Sequence, residues 1–265
     1  MSTLERERPA HAWNGTGHVH TVTAAERPDL AGAIPAVLAS RWPTFMLAGQ
    51  PGHGIDLVGL LSAVPQHQVL LVDGDDRVLG VGLSVPLVWD RTIDGLPAGW
   101  DGAVTAAAAL QMSGGTPDTV SALSITMTPA ATGRGLATRM VGALKAAAAD
   151  AGISAMIAPV RPVLKAHYPL TPMAQYLSWR TEDGQAFDPW VRLHLRVGGV
   201  QAGIAYPSMT IRGTRAQWQE WADLSMPAAG EYVIPGALVP LTVDRRTETA
   251  TYREPNVWFV HRTND

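Results

Sequence analysis

Residues 127–140 read MTPAATGRGLATRM, and the turn they describe decides the fold. Just upstream, SALSITMT (121–128) alternates apolar and polar residues. This predicts a strand with Leu123, Ile125 and Met127 on one face and Ser124, Thr126 and Thr128 on the other, ended by Pro129. Downstream, Leu136, Met140, Val141, Leu144, Ala147 and Ala148 recur at three- and four-residue steps, predicting an amphipathic helix over 134–151 with Gly152 at its end. ISAMIAPV (153–160) then reads as a buried strand. Strand, glycine turn, helix, strand makes a right-handed βαβ unit with parallel strands, and the turn falls at their carboxyl ends, where α/β folds place ligands.

The turn suits an anion. Gly133 and Gly135 let the backbone bend tightly and approach a ligand, while the helix's first turn leaves N–H groups unpaired, with roughly half a positive charge behind them. Arg134 offers a fork to phosphate oxygens. A tight connection with no ligand is the alternative. A mononucleotide loop requires lysine and then Ser or Thr after its second glycine, where Leu136 and Ala137 stand. A dinucleotide fold asks for a small residue at Thr138 and an acidic residue about twenty positions on, and SAMIAPVRP holds none.

A third design is the cradle for the diphosphate of coenzyme A. With a strand, Pro129, Ala130-Ala131-Thr132-Gly133-Arg134-Gly135 and an amphipathic helix in order, the sequence resembles the GNAT superfamily of N-acyltransferases, whose motif is Q/R-x-x-G-x-G/A. Ala130 departs from it, standing where Gln or Arg is usual. The resemblance covers about residues 18–180. FDPWVRLHLRVGG and GEYVIPGALVP, within 181–265, are similar to the tail of a longer, actinobacterial-type subgroup. It implies acetyl-CoA, or another acyl-CoA, as co-substrate and a small amine as acceptor. The backbone from Thr132 through Gly133, Arg134, Gly135, Leu136 and Ala137 to Thr138 would hold the diphosphate. Main-chain groups at Ile125 and Met127 would hold the pantetheine arm and polarise the thioester for direct attack. Tyr168 and Tyr176 are the catalytic candidates for the acid, Tyr168 preferred by its distance from the turn, and each is equally at home as a packed tyrosine. Strand 121–129 has no carboxylate, so the base stays open among water relayed through Ser124 or Thr126, an amine arriving neutral, and His167. A longer acyl-CoA or carrier-protein thioester, and a non-catalytic acyl-CoA sensor, are the alternative readings.

The remaining chain fits one α/β (α+β) domain: a mixed, mostly antiparallel sheet with a splayed central parallel pair, helices on both faces and a C-terminal elaboration. Residues 1–14 are expected to form a flexible arm and 15–265 the domain. HVHTVTA (18–24) predicts a first strand, 29–42 and 55–66 two helices, and 67–90 a hairpin turning at Asp73–Asp76. Residues 91–117 read as a surface crossing with a short helix at Ala106–Ala109. Asp188 before Pro189 suits an N-cap, Trp218 and Trp221 suit a helix anchor, and the closing stretch suits a hairpin around Asp244–Thr247. A net charge of −3 and 16% charged residues give no polyanion-binding balance, so no nucleic-acid partner is expected. The absence of cysteine removes disulfides and thiolate chemistry. No run approaches the eighteen or so apolar residues of a membrane span, so no membrane partner and a cytoplasmic location are expected. His18 and His20 share a strand face without acidic partners, and no metal is assigned. The strand-rich tail leaves room for a homodimer.

Overall fold

The computed structural model describes residues 17–49 and 54–263; the arm expected at 1–14 lies outside them. In chain order the elements are β1 (Val19–Thr23), α1 (Ile34–Ala39), α2 (Thr44–Ala48), α3 (Leu57–Ser62), β2 (Gln68–Asp73), β3 (Val78–Leu87) and α4 (Gly99–Ser113). Then come β4 (Thr119–Met127), α5 (Leu136–Asp150), β5 (Ala155–Val160), α6 (Met173–Ser178), α7 (Pro189–Arg196), β6 (Val200–Thr214), α8 (Arg215–Ala222), β7 (Gly230–Tyr232), β8 (Leu241–Asp244) and β9 (Thr249–Arg262).

The strands form one sheet in the order β1-β2-β3-β4-β5-β9-β8-β7, with β6 paired to β9. The β4–β5 pair is parallel and the others are antiparallel. Both faces of the sheet are covered, so its inner strands are apolar continuously rather than alternately. In β2, Val69 and Leu71 pack with Met140, Val141 and Leu144 of α5, while Leu70 and Val72 pack with Val37 of α1 on the other face. α5 ends as its glycine predicts: Gly152 has φ +75°, its N–H donates to the Ala149 carbonyl, and Ile153 N–H reaches back to Ala148.

Two expectations are corrected. Residues 99–113 are not a surface crossing but a four-turn helix in the core, burying Trp100, Ala103, Val104 and Ala107 against β3, β6 and β9. Its start is tied by Trp100 N–H donating to Ser208 Oγ at 2.9 Å, and Gly99 is required there because a Cβ would stand 2.1 Å from the Ser208 Cα. Second, Leu123 does not share a face with Ile125 and Met127. The β3–β4 register steps from Leu83↔Ser124 to Ser84↔Ala122, leaving Leu123 as the extra residue of a bulge that turns it into the α4 core. Trp100 Nε1 donates to the Leu123 carbonyl at 3.0 Å and fixes that kink.

The tail belongs to the sheet. β8 and β9 make the hairpin expected around Asp244–Thr247, closed by the Asp244↔Thr249 pair, and β9 lies directly against β5. Trp218 of α8 is fully buried, 5.5 Å from the Phe45 ring, and its Nε1 donates to the Ala250 carbonyl. Among the described residues no helix is long and apolar enough to cross a membrane.

Candidate active site

A parallel pair that stays in register closes the sheet, and this one does not. β4 and β5 are paired only at Thr119↔Ala155, Val120↔Met156 and Ser121↔Ile157, after which β4 runs on to Met127 and β5 to Val160 with no further rung. A cleft of about 760 Å³ occupies the wedge, lined by residues 122–127 of β4 and 158–160 of β5. Thr128 N–H donates to the Leu79 carbonyl at 2.9 Å. By the alternation of an antiparallel ladder, Thr126 and Ser124 then spend their main-chain groups on β3, while those of Ile125 and Met127 point into the wedge.

The glycine turn stands at the mouth. Thr132, Gly133, Gly135, Leu136, Ala137 and Thr138 all line the cleft, and residues 132–135 are exposed. Gly133 and Gly135 have φ of +79° and +74°, and a Cβ at either would meet nothing within 4 Å, so the cradle is open space shaped by backbone conformation alone. Gly135 is the N-cap of α5 and no side chain caps it, which leaves the N-terminal N–H groups facing the opening. These features fit a diphosphate. Arg41, at the end of α1, reaches the same turn: its Nη2 donates to Thr132 Oγ1 at 3.2 Å. Arg41, ninety-one positions from Thr132 in the chain, thus places a cation at a turn where Ala130 offers none. Arg192 and Arg196 of α7 line the facing wall.

Along β4 the polar face forms a chain. Trp42 Nε1 donates to Thr126 Oγ1 at 3.0 Å, and Thr126 and Ser124 share a hydroxyl hydrogen bond of 2.9 Å. At the floor is a charge pair that sequence reading missed. Arg161, just past β5, directs Nε at both oxygens of Glu254 of β9, each at 3.0 Å. Glu254 is fully buried and also accepts from Tyr252 O–H at 2.7 Å and Asn256 Nδ2 at 3.1 Å. Burial, and then the adjacent Glu254 charge, push the Tyr252 phenol far above its ordinary range, keeping it a donor. Tyr252, Glu254 and Asn256 stand two apart on one strand, and that spacing was the available signal.

His194 lines the wall beside Arg192. Its Nδ1 lies 2.9 Å from Nε2 of His261, and both rings are buried. Burial, followed by the neighbouring His261, pulls His194 down to about 3; burial, followed by Lys145, pulls His261 down to about 4. Both imidazoles are therefore neutral at pH 7.

The tyrosines lie elsewhere. Tyr168 is 38% exposed and packs edge-on to Trp179 at 4.9 Å, outside the cleft lining. Tyr176 is buried and donates its O–H to Asp188 Oδ2 at 2.7 Å; burial first, and that hydrogen bond second, raise its phenol well above the usual value. Asp188 also caps α7 as expected, accepting from Trp190 and Val191 N–H. His167 is exposed and likewise outside the lining. His18 and His20 stack at 5.8 Å, with no third metal-ligating side chain grouped with them among the described residues.

No family model matches the chain. It is 31% identical over 271 aligned positions to an arginine N-acetyltransferase of Aspergillus versicolor, spanning 90% of this chain and 92% of that protein. Among solved structures it resembles the loading GNATL domain of CurA from Lyngbya majuscula, with a TM-score of 0.55, 15% identity and coverage of 93% and 98%. It also resembles the GNAT-like decarboxylase GphF in complex with isobutyryl-CoA, with a TM-score of 0.54, 14% identity and coverage of 93% and 100%. At those identities the two structures speak to the fold alone.

Proposed function

Because the chain belongs to the GNAT superfamily of N-acyltransferases, we propose that it moves the acetyl group of acetyl-CoA to an amine nitrogen of a small molecule of the arginine class. The observation that carries this reading is the wedge between β4 and β5, with the uncapped start of α5 at its mouth. The acceptor class is supported by the 31% identical relative named as an arginine N-acetyltransferase.

In this reading the N–H groups from Gly133 to Ala137 hold the diphosphate, with Arg41 adding a charge-assisted donor. The main-chain groups of Ile125 and Met127 run beside the pantetheine arm, and an N–H there polarises the thioester carbonyl as charge builds on its oxygen. The acceptor nitrogen attacks the carbonyl carbon, the C–S bond breaks, and sulfur leaves as a thiolate. The nitrogen must lose one proton and the sulfur gain one. Glu254 has its four lone-pair directions taken by Arg161, Tyr252 and Asn256, and Tyr176 is committed to Asp188. We therefore route the proton through water along the Ser124–Thr126 hydroxyl pair, not through Tyr168 or Tyr176.

Thiol release from acetyl-CoA, followed with and without arginine, tests the proposal. Release that depends on arginine, with an acetylated product seen by mass spectrometry, is expected. Tight acetyl-CoA binding with no transfer to any amine would overturn the enzymatic reading of the cleft.

A further inference from the structure

A cation buried beside a carboxylate needs no further partner when its donors are all used. Arg161 is not in that state. Nε is directed at Glu254 and Nη2 at the Gly236 carbonyl, and the Tyr252 hydroxyl stands beside the guanidinium, so the five N–H donors of the fork are not all spent. The side chain is 28% exposed, and what it is exposed to is the cleft. Its partner is closed: Glu254 is fully buried and its two oxygens take four contacts, one pair from Arg161 and one each from Tyr252 and Asn256. Carboxylate capacity on this floor is exhausted, and guanidinium capacity is not.

Position narrows the use of those donors. The last rung of the parallel pair is Ser121↔Ile157; four residues further along β5 comes Arg161, and because the Leu123 bulge takes up one residue of β4, the position level with it across the wedge is Thr126, next to Ile125. Arg161 lies on the side built by Glu254, Asn256, Trp100 and Met209, away from the glycine turn. The other cations of the lining are placed differently: Arg41 is at the turn, Arg192 is tethered to the Ala186 and Phe187 carbonyls, and Arg196 stands exposed in the last turn of α7. An anion binding at the unspent donors of Arg161 would therefore sit level with the reacting end of the arm and opposite the diphosphate cradle.

We infer that Arg161 grips the carboxylate of the acceptor, so that the acceptor enters as an amino acid with a free carboxylate and its amine is held toward Ile125. Glu254 is a positioning residue: its oxygens fix the guanidinium plane, and Tyr252 and Asn256 fix Glu254. This rests on the acetyltransfer reading above and adds the charge that the acceptor must carry.

The test compares arginine with argininamide, which keeps the skeleton and both cationic groups but lacks the carboxylate. Affinity is read by calorimetry on protein loaded with coenzyme A, and transfer is read separately by thiol release. Wild type is expected to bind arginine at least tenfold more tightly than argininamide. Arg161→Gln is expected to lose that preference with the KM for acetyl-CoA unchanged. Arg161→Gln strands a buried carboxylate, so the double variant Arg161→Gln/Glu254→Gln, which removes both charges, is measured beside it, with melting curves showing that each is folded. Equal affinity of wild type for the two ligands, or an equal loss for both on removing Arg161, overturns the inference. Discriminating binding without transfer instead leaves this inference standing and sinks the acetyltransfer reading.

Discussion

Replacing Gly135 with valine isolates backbone conformation from everything else at the mouth of the cleft. A Cβ there meets nothing within 4 Å, so the substitution causes no clash. The effect comes from φ +74°, where an L-residue costs about 1–2 kcal/mol and a β-branched one more. The strain is relieved if the turn rotates to negative φ, which swings the first N–H groups of α5 away from the opening. A hydrogen bond to a charged group contributes about 1.5–3 kcal/mol, so losing two removes about 3–6 kcal/mol, on the order of a hundredfold or more in Kd for acetyl-CoA. Gly152 supplies the control. It has φ +75°, empty space at its Cβ and a place at the far end of the same helix, so Gly152→Val carries the same strain without touching the cradle. Calorimetry with acetyl-CoA and thermal melting of both variants separate the effects. Both are expected to melt lower, and Gly135→Val alone to lose affinity. If the two variants lose stability alike and both keep wild-type Kd, the diphosphate does not sit on this turn.

Three further outcomes follow from the same geometry. Arg41→Ala removes an exposed charge-assisted donor and is expected to raise the KM for acetyl-CoA about fivefold to thirtyfold, an effect that shrinks with added salt; no change would leave the turn's cation unassigned. Ser124→Ala breaks the hydroxyl pair and is expected to lower kcat while sparing acetyl-CoA affinity, measured by steady-state thiol release; an unchanged kcat removes the relay. His194 and His261 are held neutral with pKa values below that of the unfolded chain, so below about pH 6.5 the unfolded state binds more protons and stability falls toward about pH 4. At about 1.4 kcal/mol per pK unit the pair amounts to several kcal/mol, and denaturant midpoints from pH 7 to 4 should decline less steeply in His261→Gln than in wild type; equal slopes would assign the acid sensitivity elsewhere.

What the sequence displays is what local chemistry writes into it. The 127–140 turn was legible because glycine spacing and helix periodicity lie within a few residues of each other, and the Asp73 hairpin and Asp188 cap for the same reason. α4 was not legible, because its alanines are apolar on every side and give no periodic contrast to distinguish a buried helix from a small-residue loop. Leu123 was assigned to the wrong face because a single bulge reverses the alternation of a strand, and nothing in SALSITMT marks where it falls. At the site the limitation is distance. Arg41 and Thr132 are ninety-one residues apart and meet because α1 packs on β3 and β4, and Arg161 and Glu254 are ninety-three apart and meet because β9 is inserted beside β5.

The shortness of the β4–β5 ladder also has a mechanical meaning. Three residue pairs join the β1–β4 half of the sheet to the half led by β5 and β9, so the seam between the two halves rests on a short ladder. In the proposed reading a thioester carrier lying in the wedge would splint that seam, its arm against β4 and the acceptor held by Arg161 beyond β5. Amide exchange at Ile125 and Met127 should then slow on loading, and the two half-sheets should soften together when the splint departs.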